Sequence, residues 1–379
     1  MKVLRKLAAL VLAGALCVSS LAGCGINKEA TVATLGEQEV SLGLANFMVK
    51  YYKASMDDSY TAISAMLGGA DAWDGSLSMY GYMGKDDLVN YVMNILHLMY
   101  TLDAHTADYK VTVTEEEQKE IEEAAAAFIE SNSKDAINEL GATEEIVAEY
   151  LRLTVIATKM EYEIVKGADH VVSDEDANMR GYSYVAVPFD GETKDGKFVE
   201  YTDEEVNKIK ENVNKMIDEL TAEGSTAKLE DVAKKYKYDL KTGAYSTKTD
   251  STAIDKELLK AMKALKEGET SKLIEGDDDV FYIVRIDADT DEKATKEKRE
   301  SIIEERETKF YQDKITEWQT DDGWTVNTKV LEDIEFYHKF TLQDGSTQAT
   351  SESEKSTETE SETGTETGTE TESETGTEK

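Results

Sequence analysis

The sequence predicts an α+β protein in which a long helical region precedes a smaller region that mixes helices and strands. Residues 30–172 repeat apolar side chains at the spacing i, i+3, i+4 and i+7, which is typical of amphipathic helices. Residues 178–289 instead contain two short apolar runs, with three amphipathic segments between them. Because a strand, three helices and a strand follow one another there, this second region belongs to the α+β class.

The helical region contains three recognisable helix starts. Ser41 can cap a helix, Thr114 with Glu117 has the capping-box pattern, and Thr143 opens a further helix. Each of these three helices has an apolar face, and so does a fourth one that carries Leu88, Val92, Ile95, Leu96 and Met99. The faces of the other three are, in chain order, Leu44, Phe47, Met48 and Tyr51; Ile121, Ala125, Phe128 and Ile129; and Ile146, Tyr150 and Leu153. Residues 66–100 are rich in Met and Tyr, which either pack in the core, as we expect for most, or form an adaptable apolar surface.

The second region is bounded by two predicted strands. Tyr182–Val187 is a short apolar run that ends at Pro188, and Val280–Ile286 is continuous and apolar, as in a central strand. Helices are predicted from a cap at Thr202 with Glu205, over Leu229–Tyr236 and over Ile254–Leu265, and Gly243 is expected to mark a turn.

A long charged helix is predicted from about 292 to 320, followed by a half-buried segment over Val326–Phe336. This helix has only a thin apolar stripe, which suits a connecting arm better than a core helix. We expect the stripe to face the N-terminal domain. The stripe consists of Ile303, Tyr311, Ile315 and Trp318.

The end of the chain is a low-complexity tail. It consists almost entirely of Ser, Thr, Glu and Gly, and one ten-residue string occurs twice, at 357–366 and 369–378. Such a composition buries no core, so the tail is expected to be disordered.

The beginning of the chain has the order of an export signal. An apolar run over Leu7–Val18, too short to span a membrane, follows a basic start and precedes small residues. The cations are Lys2, Arg5 and Lys6. Cys17 would be removed with the signal, which leaves Cys24 as the single cysteine and excludes an internal disulfide or a cysteine metal site.

The predicted domains are a signal at 1–23, a helical N-terminal domain at 24–177, an α+β domain at 178–289, a returning helix and strand at 290–340 and the tail at 341–379. The whole chain carries a net charge of −37, and removal of the signal makes it about −40. Such a surface repels nucleic acid and anionic lipid headgroups. It suits basic or unfolded polypeptide partners, although solubility alone explains it equally well.

Several motifs resemble those of known families. Leu21-Ala22-Gly23-Cys24 is similar to a bacterial lipobox, while an ordinary secretory signal that ends near a cysteine is the alternative. Leu265–Ser271 is similar to the parvulin pattern Leu-x-x-Gly-Glu-x-Ser. Three weaker matches are Val32–Gly36 followed by Val40, Val113–Glu117 and Leu140–Glu145. Together they resemble the PrsA-like parvulin-type foldase lipoproteins of Gram-positive bacteria and the periplasmic SurA-like chaperones.

The resemblance implies a lipid-anchored foldase or holdase on the outer face of the cytoplasmic membrane, held through a diacylated Cys24. Its partners would be unfolded or nascent exported polypeptides, and no cofactor is implied. The alternatives are an active isomerase with an altered site, a solute-binding lipoprotein and a purely structural surface protein. The α+β domain would then be a parvulin-like peptidyl-prolyl isomerase domain inserted into a SurA-like N-terminal chaperone domain.

The resemblance also assigns a candidate isomerase pocket. The two family histidine positions correspond to Ser183 and Tyr282, and the family's Cys-or-Asp position corresponds to Asp239. The apolar cup for proline corresponds to Ile254 and Leu258. No histidine occurs between His170 and His338, so a weak or inactive isomerase is predicted.

Metal sites are not predicted. Asp277, Asp278 and Asp279 with Glu275 lack the spacing of a calcium-binding EF-hand loop and suit a solvated turn. Asp239 has a structural alternative as a turn residue, and His97 is expected to be packed or partly exposed on its helix rather than to be a ligand.

Overall fold

The computed structural model describes residues 26–66, 68–69, 72–248 and 253–335. The predicted export signal, Cys24 and the acidic tail therefore lie outside the described residues. Two compact units are present. Unit 1 contains the described residues up to Tyr162 and from Ile315 onward, and unit 2 contains those of Glu163–Lys314.

The strands are β1 (Thr31–Leu35), β2 (Gln38–Ser41), β3 (Met179–Pro188), β4 (Gly191–Lys194), β5 (Lys197–Glu200), β6 (Leu240–Ser246), β7 (Ile274–Glu275), β8 (Val280–Ala288) and β9 (Thr325–Val326). The α-helices are α1 (Leu42–Met66), α2 (Lys85–Ala104), α3 (Thr106–Tyr109), α4 (Glu115–Ser131), α5 (Lys134–Leu140), α6 (Glu144–Val165), α7 (Asp174–Ala177), α8 (Asp203–Thr221), α9 (Leu229–Tyr236), α10 (Lys256–Ala264), α11 (Glu292–Gln319) and α12 (Thr328–Leu331). This order confirms the predicted α+β class.

Unit 1 is a helical core closed by a small sheet of order β2-β1-β9. The predicted helix starts are confirmed: Ser41 Oγ accepts from the backbone N–H of Leu44 at 3.2 Å. Thr114 and Glu117 form the reciprocal capping box, with Thr114 N–H donating to the Glu117 carboxylate at 2.8 Å. The largest fully buried side chains of this core include Phe47, Met48, Leu88, Leu96, Ile121, Phe128 and Leu153.

Part of the Met- and Tyr-rich segment packs as a satellite of that core. The Trp73 ring stacks on Tyr60 at 4.2 Å between centroids, and Trp73 Nε1 donates to Asp57 Oδ1 at 2.9 Å. Leu77 is buried beside them, whereas Tyr80 is exposed. The core expectation therefore holds for Trp73 and Leu77 and not for Tyr80.

His97 is packed, as expected. Its Nε2 lies 2.6 Å from Asp322 Oδ2, and its ring stacks on Trp324 with 4.6 Å between centroids. Asp322 and Trp324 precede β9, so these contacts join α2 to the C-terminal strand of unit 1.

Unit 2 is built on an antiparallel four-stranded sheet of order β6-β3-β8-β7. The two predicted strands are its two central ones, β3 and β8, which pair from Gly181 to Pro188 on the β3 side. The expected turn at Gly243 is wrong, because this glycine lies inside β6 opposite Tyr182. A Cβ at Gly243 would come within 2.8 Å of the Tyr182 hydroxyl oxygen, so the glycine leaves room for that ring.

A second hairpin, β4–β5, was not expected from the sequence. Its turn residues Asp195 and Gly196 both have positive φ values, 49° and 76°, which matches the Asp-Gly preference of tight hairpins. Its strands are short, and Phe198 and Val199 are exposed. Because no apolar face of this ribbon is buried, the sequence shows no alternation that would predict it.

The long charged helix is confirmed as α11. Within unit 2, its Arg306 Nη1 donates to Asp169 Oδ2 at 2.8 Å, and its Phe310 ring lies against Gly167. Across the described parts of the chain, no helix combines the length and apolar character needed to cross a membrane.

Candidate functional site

The four-stranded sheet of unit 2 presents two different faces. Side chains alternate along a strand, so Val185 and Val187 of β3 point to one face and Tyr182 and Tyr184 to the other. The first face packs on α8 and α9, and the second packs on α10. We call them the sealed face and the tyrosine face.

The sealed face is covered by two amphipathic helices. Its central residues are almost fully excluded from solvent: Val185, Val213, Met216, Phe281 and Ile283. The Phe281 ring stacks on Phe189 with 4.1 Å between centroids, and Lys210 Nζ lies 5.4 Å from the Phe281 centroid. This face therefore serves as the core of unit 2.

The tyrosine face is covered only in part. The nine-residue helix α10 buries Leu258, Leu259 and Met262 against the sheet. Beyond the helix, Tyr184, Tyr282 and Ile254 remain half-buried, and the Tyr184 and Tyr282 centroids lie 6.2 Å apart. The result is a shallow apolar and aromatic surface at one end of the sheet.

Three of the sequence-predicted site residues meet there. Ile254, Leu258 and Tyr282 belong to the same hydrophobic cluster. Leu258 lies under the surface at 3 % exposure, and the other two are partly accessible. Ile254 and Leu258 were assigned as the cup for proline, and they lie beside Tyr282 without an additional aromatic ring from α10.

Ser183 lies on the opposite face. It is buried, and its Oγ donates to Asp287 Oδ1 at 3.1 Å. Tyr184, the next residue of β3, is the one that lies beside Tyr282. A shift of one position along a strand moves a side chain to the other face, which is why the sequence alone did not distinguish the two residues.

Asp239 is exposed and immediately precedes β6. Leu240 pairs with Val185, and Ala186 pairs with Tyr282 on the other side of β3. Asp239 is therefore at the same end of the sheet as Tyr282, one residue beyond the paired part of β6.

Asp255 is a residue of this site that the sequence did not single out. Its Oδ1 accepts from Leu258 N–H at 2.9 Å and caps α10, and its Oδ2 accepts from Asp277 N–H at 2.8 Å. A Cβ at Gly276 would come within 2.7 Å of Asp255 Oδ2 and 2.5 Å of Tyr282 Cε2. The carboxylate and the tyrosine ring thus lie against the same glycine. The cap was recognisable from the sequence, but its proximity to Tyr282 depends on the fold.

The surroundings of Tyr282 favour the protonated form of its phenol. Burial raises the pKa of Tyr282 above its ordinary value, and the nearby Asp255, Tyr184 and Asp278 raise it further. The hydroxyl group therefore remains a neutral hydrogen-bond donor at neutral and mildly alkaline pH.

Arg180 holds α10 on the sheet at the end of the sheet that is opposite to Tyr282. Its Nη2 donates to the Leu265 carbonyl at 2.9 Å, and its Nε donates to Asp289 Oδ1 at 3.0 Å. Tyr245 Oη donates to the Met262 carbonyl at 3.1 Å. These bonds satisfy carbonyls at the C-terminal end of the helix and hold its apolar side against Tyr182 and Val284.

The tyrosine face combines apolar and polar side chains. It offers aromatic rings, aliphatic side chains, two phenols and carboxylates, and the chain's four histidines, at 97, 105, 170 and 338, all lie outside β3, β8 and the segments between them. Among the described residues, no group of three or more His, Cys, Asp or Glu side chains is arranged to hold a metal ion.

Residues 190–300 match the family model of the PPIC-type PPIase domain, where PPIase denotes peptidyl-prolyl isomerase. The match covers α8, α9, β6, α10 and β8, and so includes both helices of the sealed face and the helix of the tyrosine face. It confirms the resemblance stated from the sequence for one part of the chain: residues 190–300 are similar to the PPIC-type PPIase domain.

Similarity to solved structures was also found. A structure from work on the SurA-like chaperones PEB4 and Cj1289 of Campylobacter jejuni is 9 % identical, with 79 % of this chain and 99 % of that chain covered and a TM-score of 0.26. Foldase PrsA of Streptococcus pneumoniae is 14 % identical over 64 % of this chain and 88 % of its own, with a TM-score of 0.26. PrsA of Bacillus cereus is 18 % identical over 68 % and 91 %, with a TM-score of 0.26. No curated protein matches the chain.

Proposed function

We propose that this protein is an extracytoplasmic foldase or holdase that binds unfolded exported polypeptides, and that its parvulin-type domain is a weak or inactive isomerase. The observation that carries the proposal is the half-covered tyrosine face within a domain that matches the PPIase family. Partly exposed aromatic and aliphatic side chains on a sheet suit an extended apolar segment of a client chain.

Binding is expected to exceed catalysis for a physical reason. Rotation about a peptide bond has a barrier of about 18–20 kcal/mol, and catalysis requires groups that stabilise the twisted amide more than the planar one. Contacts with the proline ring alone do not distinguish the two states, because the ring itself is the same in both. Of the residues at the family's polar positions, Ser183 is directed to Asp287 on the other face, and Tyr282 is a neutral phenol.

An aggregation assay and a protease-coupled proline isomerisation assay on the same sample test the proposal. We expect aggregation of an unfolded client to fall on addition of the protein. Proline isomerisation should stay near its uncatalysed rate, with a relaxation time of tens to hundreds of seconds. Tyr282→Ala should weaken client protection, and Ser183→Ala is the matched control on the opposite face. Unchanged client aggregation would contradict the foldase proposal.

An active isomerase with an altered site is the second candidate, because Asp239 lies at the Tyr282 end of the sheet. Any residual catalysis should then be lost in Asp239→Ala while client binding remains. A catalytic efficiency like that of histidine-bearing parvulins would make the domain an enzyme. A solute-binding lipoprotein would need two α/β lobes, and the antiparallel sheet of unit 2 does not support that alternative.

We also propose that the chain is anchored by lipid on Cys24 at the outer face of the cytoplasmic membrane of a Gram-positive type bacterium. The proposal rests on the sequence of residues 1–24. Cys24→Ala should release the protein or leave an uncleaved precursor. Equal incorporation of radiolabelled palmitate into the parent and the Ala variant would overturn this part of the proposal.

A further inference from the structure

We propose that the tyrosine face selects client segments that carry a lysine or arginine next to the residue seated over Tyr184 and Tyr282, and that Asp255 and Asp278 determine this preference. The inference rests on the proposed function and specifies the class of segment bound.

The first step is the fixed position of one acidic group. Both carboxylate oxygens of Asp255 accept backbone N–H groups, from Leu258 and from Asp277, so the side chain has little freedom to turn away. It lies against Gly276 together with the Tyr282 ring. A negative charge is thereby held at the edge of the aromatic surface.

The second step is the turn between β7 and β8. Asp277, Asp278 and Asp279 are exposed in this turn. The backbone N–H of Asp277 donates to Asp255 Oδ2 at 2.8 Å, so Asp278 directly follows a residue that is bonded to Asp255, and it is one of the groups that raise the pKa of Tyr282. Glu275 is partly neutralised because Lys210 Nζ lies 3.3 Å from its carboxylate. A cation next to Tyr282 would gain from the acids and from the face of a half-exposed aromatic ring.

The third step is the opposite charge at the other tyrosine. Lys241 Nζ lies 5.9 Å from the Tyr184 ring centroid, on the edge strand β6. The two ends of the surface therefore carry opposite charges: a cation lies near Tyr184, and acidic groups lie near Tyr282. A client residue with positive charge is repelled at the first end and attracted at the second, so the charge pattern also orients the bound segment.

Matched peptides test the inference. Fluorescence anisotropy with the purified full chain compares three labelled proline peptides that differ only in one flanking residue: Lys, Gln or Glu. We expect the Lys peptide to bind about three- to tenfold more tightly than the Glu peptide at physiological salt, the range for exposed charge pairs with a cation–π contribution.

The double variant Asp255→Asn/Asp278→Asn tests the assignment to these residues. Asn also caps helices, so α10 should remain in place, and thermal unfolding checks this. The matched control is Asp218→Asn/Glu223→Gln, which removes the same charge from exposed positions in and after α8. Because both variants change the net charge equally, a difference between them reports the local acids rather than the acidity of the whole chain.

The expected result is a preference for the Lys peptide that falls to less than about twofold in the Asp255/Asp278 variant and persists in the control. Equal binding of the Lys and Glu peptides to the parent protein would overturn the inference and leave the proposed function standing. An equal loss of preference in both variants would also overturn it. Failure of all three peptides to bind would instead contradict the proposed function itself.

Discussion

The two faces of the unit 2 sheet are made from the same strands but are covered to different degrees. Two helices, α8 and α9, close the sealed face, and its central side chains are at most 1 % exposed, as for Phe281 and Ile283. One short helix, α10, covers the other face and leaves Tyr184 and Tyr282 half-buried. Alternation along β3 and β8 thus separates residues that hold the domain together from residues available to a partner.

The largest expected effect on stability comes from removing a buried ring of the sealed face. Phe281→Ala should lower the free energy of unfolding by about 3–5 kcal/mol, because a fully buried ring leaves a cavity. Its neighbour Tyr282→Ala should cost about half as much or less, because part of that ring is already in water. Urea unfolding of the two variants measures the difference. Equal losses of stability would show that the two faces are not distinct.

The next largest effect concerns the attachment of α10. Arg180→Met should cost about 2–3 kcal/mol, because the Leu265 carbonyl and Asp289 lose a charged partner. Although Arg180 lies at the other end of the sheet from Tyr282, client binding should weaken as well, since the helix carries Leu258. Lys260→Met, at an exposed position of α10, is the control. Client binding that is undiminished in Arg180→Met would show that the surface does not depend on the position of the helix.

A smaller effect is expected at Ser183. Ser183→Ala removes a hydrogen bond to Asp287 and should cost about 0.5–1.5 kcal/mol, with client affinity unchanged. Tyr184→Ala should instead reduce client affinity, because its ring lies on the tyrosine face. Anisotropy with one labelled client peptide compares the two variants. Weaker binding by Ser183→Ala alone would favour the sequence-based assignment of Ser183 to the binding surface.

These adjacent residues show what the sequence could and could not predict. Helix starts such as Thr114 and Thr202 were predicted correctly, because capping depends on residues three positions apart. The central strands were found because apolar and aromatic residues run almost without interruption along both of them. The edge strand β6 was missed, since Lys241 and Thr242 are exposed and Gly243 suggested a turn. The pairing that directs Tyr184 rather than Ser183 toward Tyr282 depends on contacts between segments about 100 residues apart.

The smallest expected effect is a pH dependence confined to the tyrosine face. Burial first, and then the neighbouring acids and Tyr184, raise the pKa of Tyr282 above its ordinary value. The folded chain therefore keeps a proton that the unfolded chain releases. The contribution of this phenol to stability is full below pH 10 and is lost as the pH rises through the folded-state pKa. Tyr282→Phe should thus lessen the decline of unfolding free energy above pH 10, measured by urea unfolding. Parallel curves for parent and variant would contradict the assigned surroundings of the phenol.

The most direct test of the account is to locate a bound client. A proline peptide carrying one photoreactive benzophenone side chain is cross-linked to the purified full chain, and the attachment sites are identified by mass spectrometry. The account predicts cross-links at Tyr184, Ile254 and Tyr282, with competition by the same peptide without the photoreactive group. Cross-links confined to α8 and α9, or to unit 1 alone, would contradict the claim that the tyrosine face holds the client.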